Sequence, residues 1–361
     1  AFSATADEQQ WLVHANADVE PGESYLFDRR NKALTLQYRP LEAIPRSALA
    51  TTTTIRYSSS DGMRISGYLT LPKDVEPKRL PLVVMAHGGP WARDRWSYMP
   101  QTQFLANRGV AVLQPNYRGS TGYGKAFLNA GNREWGERIQ DDLTWGVRYL
   151  VEQGIVDPKR VGIVGSSFGG YCALAGAAFT PDLYAAAASI VGISNVPMVV
   201  DSLTAFASPA RTMFVERIGD PTSVEGRAQL ERQSPLNSVA KIKIPLLLIH
   251  GANDPRVRQA DSERMVVALR DRVPVEYLLL PDEGHVLGLN QAFARPVNNQ
   301  AVFAGLERFL AEHLGTRYQE ALEPEVAQRL KEIRVDPETV AVGTAPRPSS
   351  VSMVRTQAPG F

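Results

Sequence analysis

The chain has 361 residues, enough for one large domain with an appendage or for two ordinary domains. Hydrophobic residues make up 44% of it and charged residues 21%, a balance typical of soluble globular proteins. The net charge of +1, with acids and bases interleaved, argues against a nucleic-acid-binding protein, and the apolar runs are too short for a membrane span.

Residues 1–50 have the pattern of β structure. Short apolar runs at 25–27 and 34–38 flank a polar turn at 28–32, which predicts a hairpin. A second hairpin is predicted around Asp61 and Gly62. This pattern is not repeated along the chain, so the sequence excludes a complete β-propeller.

From residue 80 onward, apolar strands alternate with longer amphipathic segments. The predicted strands are 82–86, 110–114, 161–164, 185–191, 245–250 and 275–280, and the predicted helices are 104–109, 141–153, 171–179, 261–269 and 301–313. Such alternation predicts an α/β fold with a mostly parallel, doubly wound sheet. Residues 195–241 break the alternation and read as an insertion.

Three regions are therefore expected. They are an N-terminal β segment (1–50), an α/β domain (51–316), and a C-terminal region (317–361) with one helix at 323–333. The tail that follows is rich in Pro, Ser and Thr and is expected to be poorly ordered.

The nucleophile is predicted from the pentapeptide Gly165-Ser-Ser-Phe-Gly169, which matches the G-x-S-x-G elbow. It follows a predicted strand and precedes a predicted helix, as the elbow requires. Ser166 is excluded as the nucleophile because its register would need glycine at position 164, where Val164 stands. Ser167 is the predicted nucleophile.

The base and the acid follow from chain order, which in the α/β-hydrolase fold expected for residues 51–316 is Ser, then Asp or Glu, then His. Of five histidines, His14, His87 and His250 precede any suitable acid, and His313 lies within a predicted helix. His285 remains as the base.

Asp254, just past the strand at 245–250, is the predicted acid. The alternatives are Asp220 in the insertion, Asp261 at an expected helix N-cap, and Asp282, which is too close to His285 in sequence.

The oxyanion hole is predicted at the end of the strand at 82–86. Gly88 and Gly89 allow a backbone N–H to approach the substrate oxygen, and the N–H of Phe168 is the expected second donor. His87 is expected to support this loop by a hydrogen bond rather than to act as a base.

No metal or other cofactor is expected. Cys172 is the single cysteine, so neither an intrachain disulfide nor a thiolate cluster can form, and no His and carboxylate group has ligand spacing.

Taken together, the motifs resemble the prolyl oligopeptidase family of serine peptidases. They are His87-Gly-Gly-Pro-Trp91, Asn116-Tyr-Arg-Gly-Ser-Thr-Gly-Tyr-Gly124, Gly165-Ser-Ser-Phe-Gly-Gly-Tyr171, His250-Gly-Ala-Asn-Asp-Pro-Arg-Val257 and Asp282-Glu-Gly-His285. His87 stands where the prolyl-cleaving branch has a tyrosine, so the resemblance is to the acylaminoacyl-peptidase branch. It implies an N-terminal β-propeller, and residues 1–50 are expected to be the remnant of its last blade.

The expected substrate is a short or N-blocked peptide, with a small acyl ester as the alternative and a catalytically silent binding protein as a third hypothesis. Neither nucleic acid nor membrane is an expected partner, a homo-oligomer stays open, and the first residues do not indicate a compartment.

Candidate substrate-binding residues are Val191, Met198, Phe206 and Phe214 for an apolar pocket, together with Tyr171, Arg118 and Arg256. The alternative is a structural role: a position in the core for the apolar residues, and an internal salt bridge for the two arginines.

Overall fold

The computed structural model describes residues 2–206, 211–286 and 292–342. Within these ranges the first four strands form an antiparallel sheet in the order β1-β2-β3-β4. They are β1 Phe2–Ala4, β2 Gln10–Ala17, β3 Glu20–Asp28 and β4 Ala33–Tyr38. Asp28 pairs with Ala33 across the polar turn, so the predicted hairpin is present.

The following strands build a larger mixed sheet, which in the described ranges has the order β13-β12-β11-β10-β9-β7-β8-β6-β5. Their bounds are β5 Thr52–Ser58, β6 Arg64–Thr70, β7 Leu80–Ala86, β8 Ala111–Asn116, β9 Val156–Ser166, β10 Ala186–Ile190, β11 Leu246–Gly251, β12 Val275–Leu280 and β13 Arg334–Val335. The pairs from β8 through β12 are parallel, whereas β5, β6 and β13 join antiparallel. The prediction of a mostly parallel α/β sheet is confirmed.

Helices cover both faces of this sheet. They are α1 Pro100–Asn107, α2 Lys125–Asn129, α3 Arg138–Glu152, α4 Phe168–Phe179, α5 Val196–Phe206, α6 Arg211–Arg217, α7 Val224–Arg232, α8 Gln259–Leu269, α9 Pro296–Leu314 and α10 Pro324–Ile333. Apolar side chains of α3, α4 and α8 pack on one face, and those of α1 and α9 pack on the other. Because both faces are covered, the central strands are apolar throughout rather than alternating.

The segment predicted as an insertion contains α5, α6, α7 and a 3-10 helix, Pro235–Lys241, between β10 and β11. α10 begins one residue after its predicted start, but the pairing of β13 with β12 was not predicted.

The part of the tail from residue 343 lies outside the described residues. No helix in the described ranges is long and apolar enough to cross a membrane.

The order of the strands determines where a site can form. The chain runs outward from β7 to β8 and then returns to the other side of β7 with β9. In open α/β sheets, such a reversal leaves a crevice at the carboxyl ends of the two strands, and ligands bind there. Ser166, the last residue of β9, places the predicted nucleophile at this crevice.

Candidate active site

Ser167 occupies a sharp turn between β9 and α4. Its backbone has φ 57° and ψ −118°, a conformation that L-residues rarely adopt. The backbone N–H of Ser167 donates a hydrogen bond to the carbonyl of Ile190 at 2.8 Å. Backbone strain of this kind costs about 1–3 kcal/mol and persists only where the surrounding structure holds it. The turn therefore presents the Ser167 side chain above the sheet edge.

The two glycines of the elbow are required by close backbone packing. A Cβ on Gly169 would lie 1.9 Å from the carbonyl oxygen of Ala86, at the end of β7. A Cβ on Gly165 would lie 2.4 Å from the backbone of Gly169. Because any larger side chain would separate these segments, glycine holds the start of α4 directly against the end of β7.

His285 lies between Ser167 and Asp254. The distance from His285 Nε2 to Ser167 Oγ is 3.0 Å, and that from His285 Nδ1 to Asp254 Oδ2 is 2.5 Å. A neutral imidazole that donates its Nδ1 proton to the carboxylate keeps Nε2 free to accept the serine proton. The three predicted residues, separated by as many as 118 positions, are thus brought into one hydrogen-bonded chain.

The loops that carry the acid and the base pack directly against each other. The backbone N–H of Asn253 donates to the carbonyl of Glu283 at 2.9 Å, and its side-chain amide donates to the carbonyl of Pro281 at 2.8 Å. A Cβ on Gly251 would lie 2.2 Å from the carbonyl oxygen of Gly284. This contact fixes the separation between Asp254 and His285.

Asp254 is held as a carboxylate. Burial alone would raise its pKa, but the hydrogen bond and charge of His285 and the N–H groups of Arg256 and Val257 outweigh burial and lower the pKa. Those two N–H groups donate to Oδ1 at 2.8 and 3.0 Å, which leaves Oδ2 for His285. The neighbouring His250 is fully buried and bonds Ser262 and the carbonyl of Val257, and its Nε2 lies 3.8 Å from Asp254 Oδ2.

His87 supports the predicted oxyanion loop. Its ring stacks on Tyr117 with centroids 4.2 Å apart, and Tyr117 donates its hydroxyl proton to the His87 carbonyl at 2.6 Å. Nδ1 bonds the carbonyl of Gly88 at 2.8 Å, and Nε2 bonds the hydroxyl of Ser120 at 2.9 Å. Gly88 and Gly89 are therefore held beside the start of α4, where the ring of Phe168 is buried against Trp135.

The buried position of His87 predicts a pH-dependent stability. Burial lowers its pKa to about 4 from 6.5, so the unfolded chain takes up the proton first as the pH falls below 6.5. Between pH 7 and pH 5 this group is expected to remove about 2 kcal/mol of stability. Urea unfolding at pH 7 and at pH 5 gives the fall in the free energy of unfolding between the two pH values. In His87→Gln this fall should be smaller than in the wild type by about 2 kcal/mol. Equal losses in the two proteins would contradict this account.

Three of the predicted substrate-binding residues are structural, and the prediction is wrong for them. The Tyr171 ring is fully buried, and its hydroxyl donates to the carbonyl of Gln233 at 2.8 Å. Val191 is fully buried in the core formed with α1 and α9. Arg118 is 1% exposed and bound by two carboxylates, so its guanidinium cannot reach a substrate.

The other predicted residues of this group have different surroundings. Met198 on α5 is half-buried and contacts Arg264, and the half-buried Phe214 lies on α6. Arg256 is exposed and contributes its backbone N–H to Asp254. The side chain of Phe206, the last residue of α5, lies outside the described residues.

Arg118 joins three separate segments. Its guanidinium bonds both oxygens of the fully buried Asp142 on α3, at 2.9 and 2.7 Å, and Asp61 in the turn between β5 and β6, at 2.9 and 3.0 Å. Removal of one partner from a buried ion pair leaves the other charge without compensation.

Arg118→Met is therefore expected to lower the free energy of unfolding by about 3–5 kcal/mol. Asp142 would then stay buried without its cation. Arg138, which contacts the same Asp61 but is 55% exposed, is the matched control, and Arg138→Met should cost about 1 kcal/mol or less. Urea denaturation of both variants measures the free energy of unfolding. Equal losses in the two variants would contradict the role assigned to the buried pair of Arg118 and Asp142.

Two contributors to the site region were not predicted from the sequence. Trp91 belongs to the motif that begins at His87, and its ring stacks on Phe214 at 6.0 Å, while Arg217 lies over it at 5.7 Å. Its position directly after Pro90, next to the predicted oxyanion loop, is the sequence feature that could have identified Trp91 as part of the site. Asp261 is not an N-cap, because Arg258 occupies that position. Instead it accepts hydrogen bonds from Ser194 and from Asn195, the first residue of the insertion.

Among the described residues, no group of three or more His, Cys, Asp or Glu side chains could hold a metal ion.

Comparison with known proteins agrees with the motifs. Residues 96–317 match the prolyl oligopeptidase family. The chain is 41% identical over 321 residues to dipeptidyl aminopeptidase BIII of Pseudoxanthomonas mexicana, which covers 87% of this chain and 46% of that protein. It is 30% identical over 239 residues to the acylamino-acid-releasing enzyme of Arabidopsis thaliana, covering 62% and 30% respectively.

A solved structure gives the same result. A puromycin-hydrolyzing peptidase of Mycobacterium tuberculosis superimposes with a TM-score of 0.74 at 28% identity, covering 87% of this chain and 47% of that one. The chain spans about half the length of each of these two relatives. With the elbow, the strand order and the matched residues in agreement, the chain belongs to the prolyl oligopeptidase family.

Proposed function

We propose that the chain is a serine peptidase in which Ser167, His285 and Asp254 form the catalytic triad. The observation that carries this proposal is the pair of hydrogen bonds at 3.0 and 2.5 Å that joins the three side chains. Ser167 Oγ attacks the acyl carbon while His285 Nε2 takes its proton, and Asp254 stabilises the imidazolium. His285 then returns the proton to the leaving amine, and water hydrolyses the acyl-enzyme.

The oxyanion of the tetrahedral intermediate is proposed to be bound by backbone N–H groups. One belongs to Phe168, the first residue of α4, where unpaired N–H groups and the helix dipole favour negative charge. The other comes from the loop at Gly88 and Gly89. Each such donor contributes about 3 kcal/mol to the stability of the transition state.

The proposed substrates are short peptides, free or blocked at the N-terminus. The relatives are named as a dipeptidyl aminopeptidase, an acylamino-acid-releasing enzyme and a puromycin-hydrolyzing peptidase, and each name describes that protein. The stacked rings of Trp91 and Phe214, next to the oxyanion loop, are proposed as an apolar wall for a substrate side chain. Met198, Phe206 and Arg256 stay candidates for substrate contact.

A substrate panel tests this proposal. One sample of the protein is labelled with a fluorophosphonate probe. A separate, unlabelled sample is used to compare turnover of dipeptidyl anilides, N-acetyl amino acid anilides and short p-nitrophenyl esters. Anilide cleavage is the expected result. Labelling with turnover of esters alone would identify a carboxylesterase, and folded protein that takes no label would identify a silent hydrolase fold.

A further inference from the structure

Glu283, two residues before His285, anchors the loop that carries the proposed base. The residue is 4% exposed, and its carboxylate accepts hydrogen bonds at three points. Oε2 accepts the N–H of Ala294 at 2.9 Å, whereas Oε1 accepts the N–H of Arg295 at 2.9 Å and the side-chain amide of Asn298 at 2.6 Å. The base loop is therefore bound to the start of α9.

Asn298 extends this anchor to the C-terminal helix. The residue is fully buried, and its Oδ1 accepts a hydrogen bond from Arg329 Nε at 2.7 Å. Because its carbonyl faces Arg329, its NH₂ group faces Glu283. The guanidinium of Arg329, on α10, also forms an ion pair with Asp282 of the base loop. α10 thus reaches the base loop by two routes, one direct and one through Asn298.

The same segment completes the sheet beside the strand that leads into the base loop. β13 follows α10, and its Arg334 and Val335 pair antiparallel with Leu278 and Tyr277 of β12. Ile333, the last residue of α10, is fully buried. Residues 324–335 lie beyond residue 317, where the match to the family ends.

We propose that Arg329 is a positioning residue for His285, and that α10 with β13 acts as a brace for the base loop. The proposal rests on the proposed role of His285 as the catalytic base. His285 must keep Nδ1 on Asp254 and Nε2 on Ser167 at the same time, and small displacements of a catalytic group reduce rates strongly. Loss of Arg329 removes the donor to the Asn298 carbonyl and the ion pair between Asp282 and α10, although Asp282 keeps its pair with Arg295 at 2.8 Å. The base loop then loses both of its routes to α10 and is held less firmly.

The test compares Arg329→Met with Arg334→Met. Both arginines lie on the brace and form ion pairs, but Arg334 pairs with Glu276 on β12 at 3.0 Å, away from the base loop. Arg329→Met is expected to lower kcat and the rate of fluorophosphonate labelling by about 10-fold to 100-fold. KM should stay within about twofold, because the substrate-binding surfaces are unchanged. Arg334→Met should stay within about twofold of the wild type in all three quantities.

A spectroscopic measurement separates positioning from general destabilisation. The proton that His285 shares with Asp254 is followed by NMR in folded samples of each protein. Its resonance is expected to shift or broaden in Arg329→Met and to stay in place in Arg334→Met. Arg329→Lys should recover only part of the rate, because lysine restores the charge near Asp282 without the planar fork that also reaches Asn298.

Several outcomes would overturn the proposal. They are wild-type kcat in folded Arg329→Met, equal losses in the two methionine variants, or an unchanged proton resonance. If Arg329→Met fails to fold, Asp282→Asn replaces it, because that change weakens the direct route and leaves the packing of α10 intact. Wild-type kcat in Asp282→Asn together with full rescue by Arg329→Lys would then count against positioning. Wild-type protein that takes no label would instead contradict the proposed function itself.

Discussion

Replacing Ser167 with alanine is expected to abolish fluorophosphonate labelling and to lower kcat by at least about 10⁴-fold. In the proposed mechanism the Ser167 hydroxyl oxygen is the protein atom that forms a bond to the acyl carbon. His285 Nε2 would lose its partner at 3.0 Å, while the backbone of the elbow, held by Ile190 and the packing of Gly169 on Ala86, stays in place. Activity on the chosen anilide and gel-based labelling measure the effect.

Ser166→Ala is the control for this change. The two serines are neighbours, and the hydrogen bond to His285 belongs to Ser167. Near wild-type labelling of Ser166→Ala, with none in Ser167→Ala, is the expected pattern. Residual labelling of folded Ser167→Ala at the wild-type rate would show that another residue is the nucleophile.

Asp254→Asn is expected to lower kcat about 10⁴-fold with little change in the fold. The asparagine can still accept the N–H groups of Arg256 and Val257 through its carbonyl oxygen. Its NH₂ group then faces Nδ1 of His285 and favours the tautomer that carries its proton on Nε2. In that form His285 cannot accept the serine proton.

Asp220→Asn provides the control for the acid. Asp220 was an alternative in the sequence, but its carboxylate accepts hydrogen bonds from Thr222 in its own turn. Its replacement should leave kcat within about twofold, as expected of a surface substitution. A loss in Asp220→Asn comparable with that in Asp254→Asn would contradict the assignment of the acid. Far-ultraviolet circular dichroism shows whether either variant is folded.

Much of the fold could be predicted because its signals are local. The strand at 82–86 and the helix at 171–179 have apolar patterns that depend on neighbouring residues alone, and both elements are present within β7 and α4. The ends of the strands and helices were predicted less accurately than their positions. β9, for example, begins at Val156, five residues before its predicted start. The two-residue β13 was missed because a strand that short has no pattern of its own and forms only by pairing with β12.

Residue type and position along the chain were enough to propose the chemistry of the site. The elbow pentapeptide favours Ser167 over Ser166, and chain order favours Asp254 and His285. Which other side chains are available to a substrate depends instead on tertiary packing. Arg118 is bound by Asp142, 24 positions away, and Arg329 reaches Asp282 from 47 positions away. Burial and ion pairing between such distant residues depend on how the helices pack, and no local pattern in the chain specifies that.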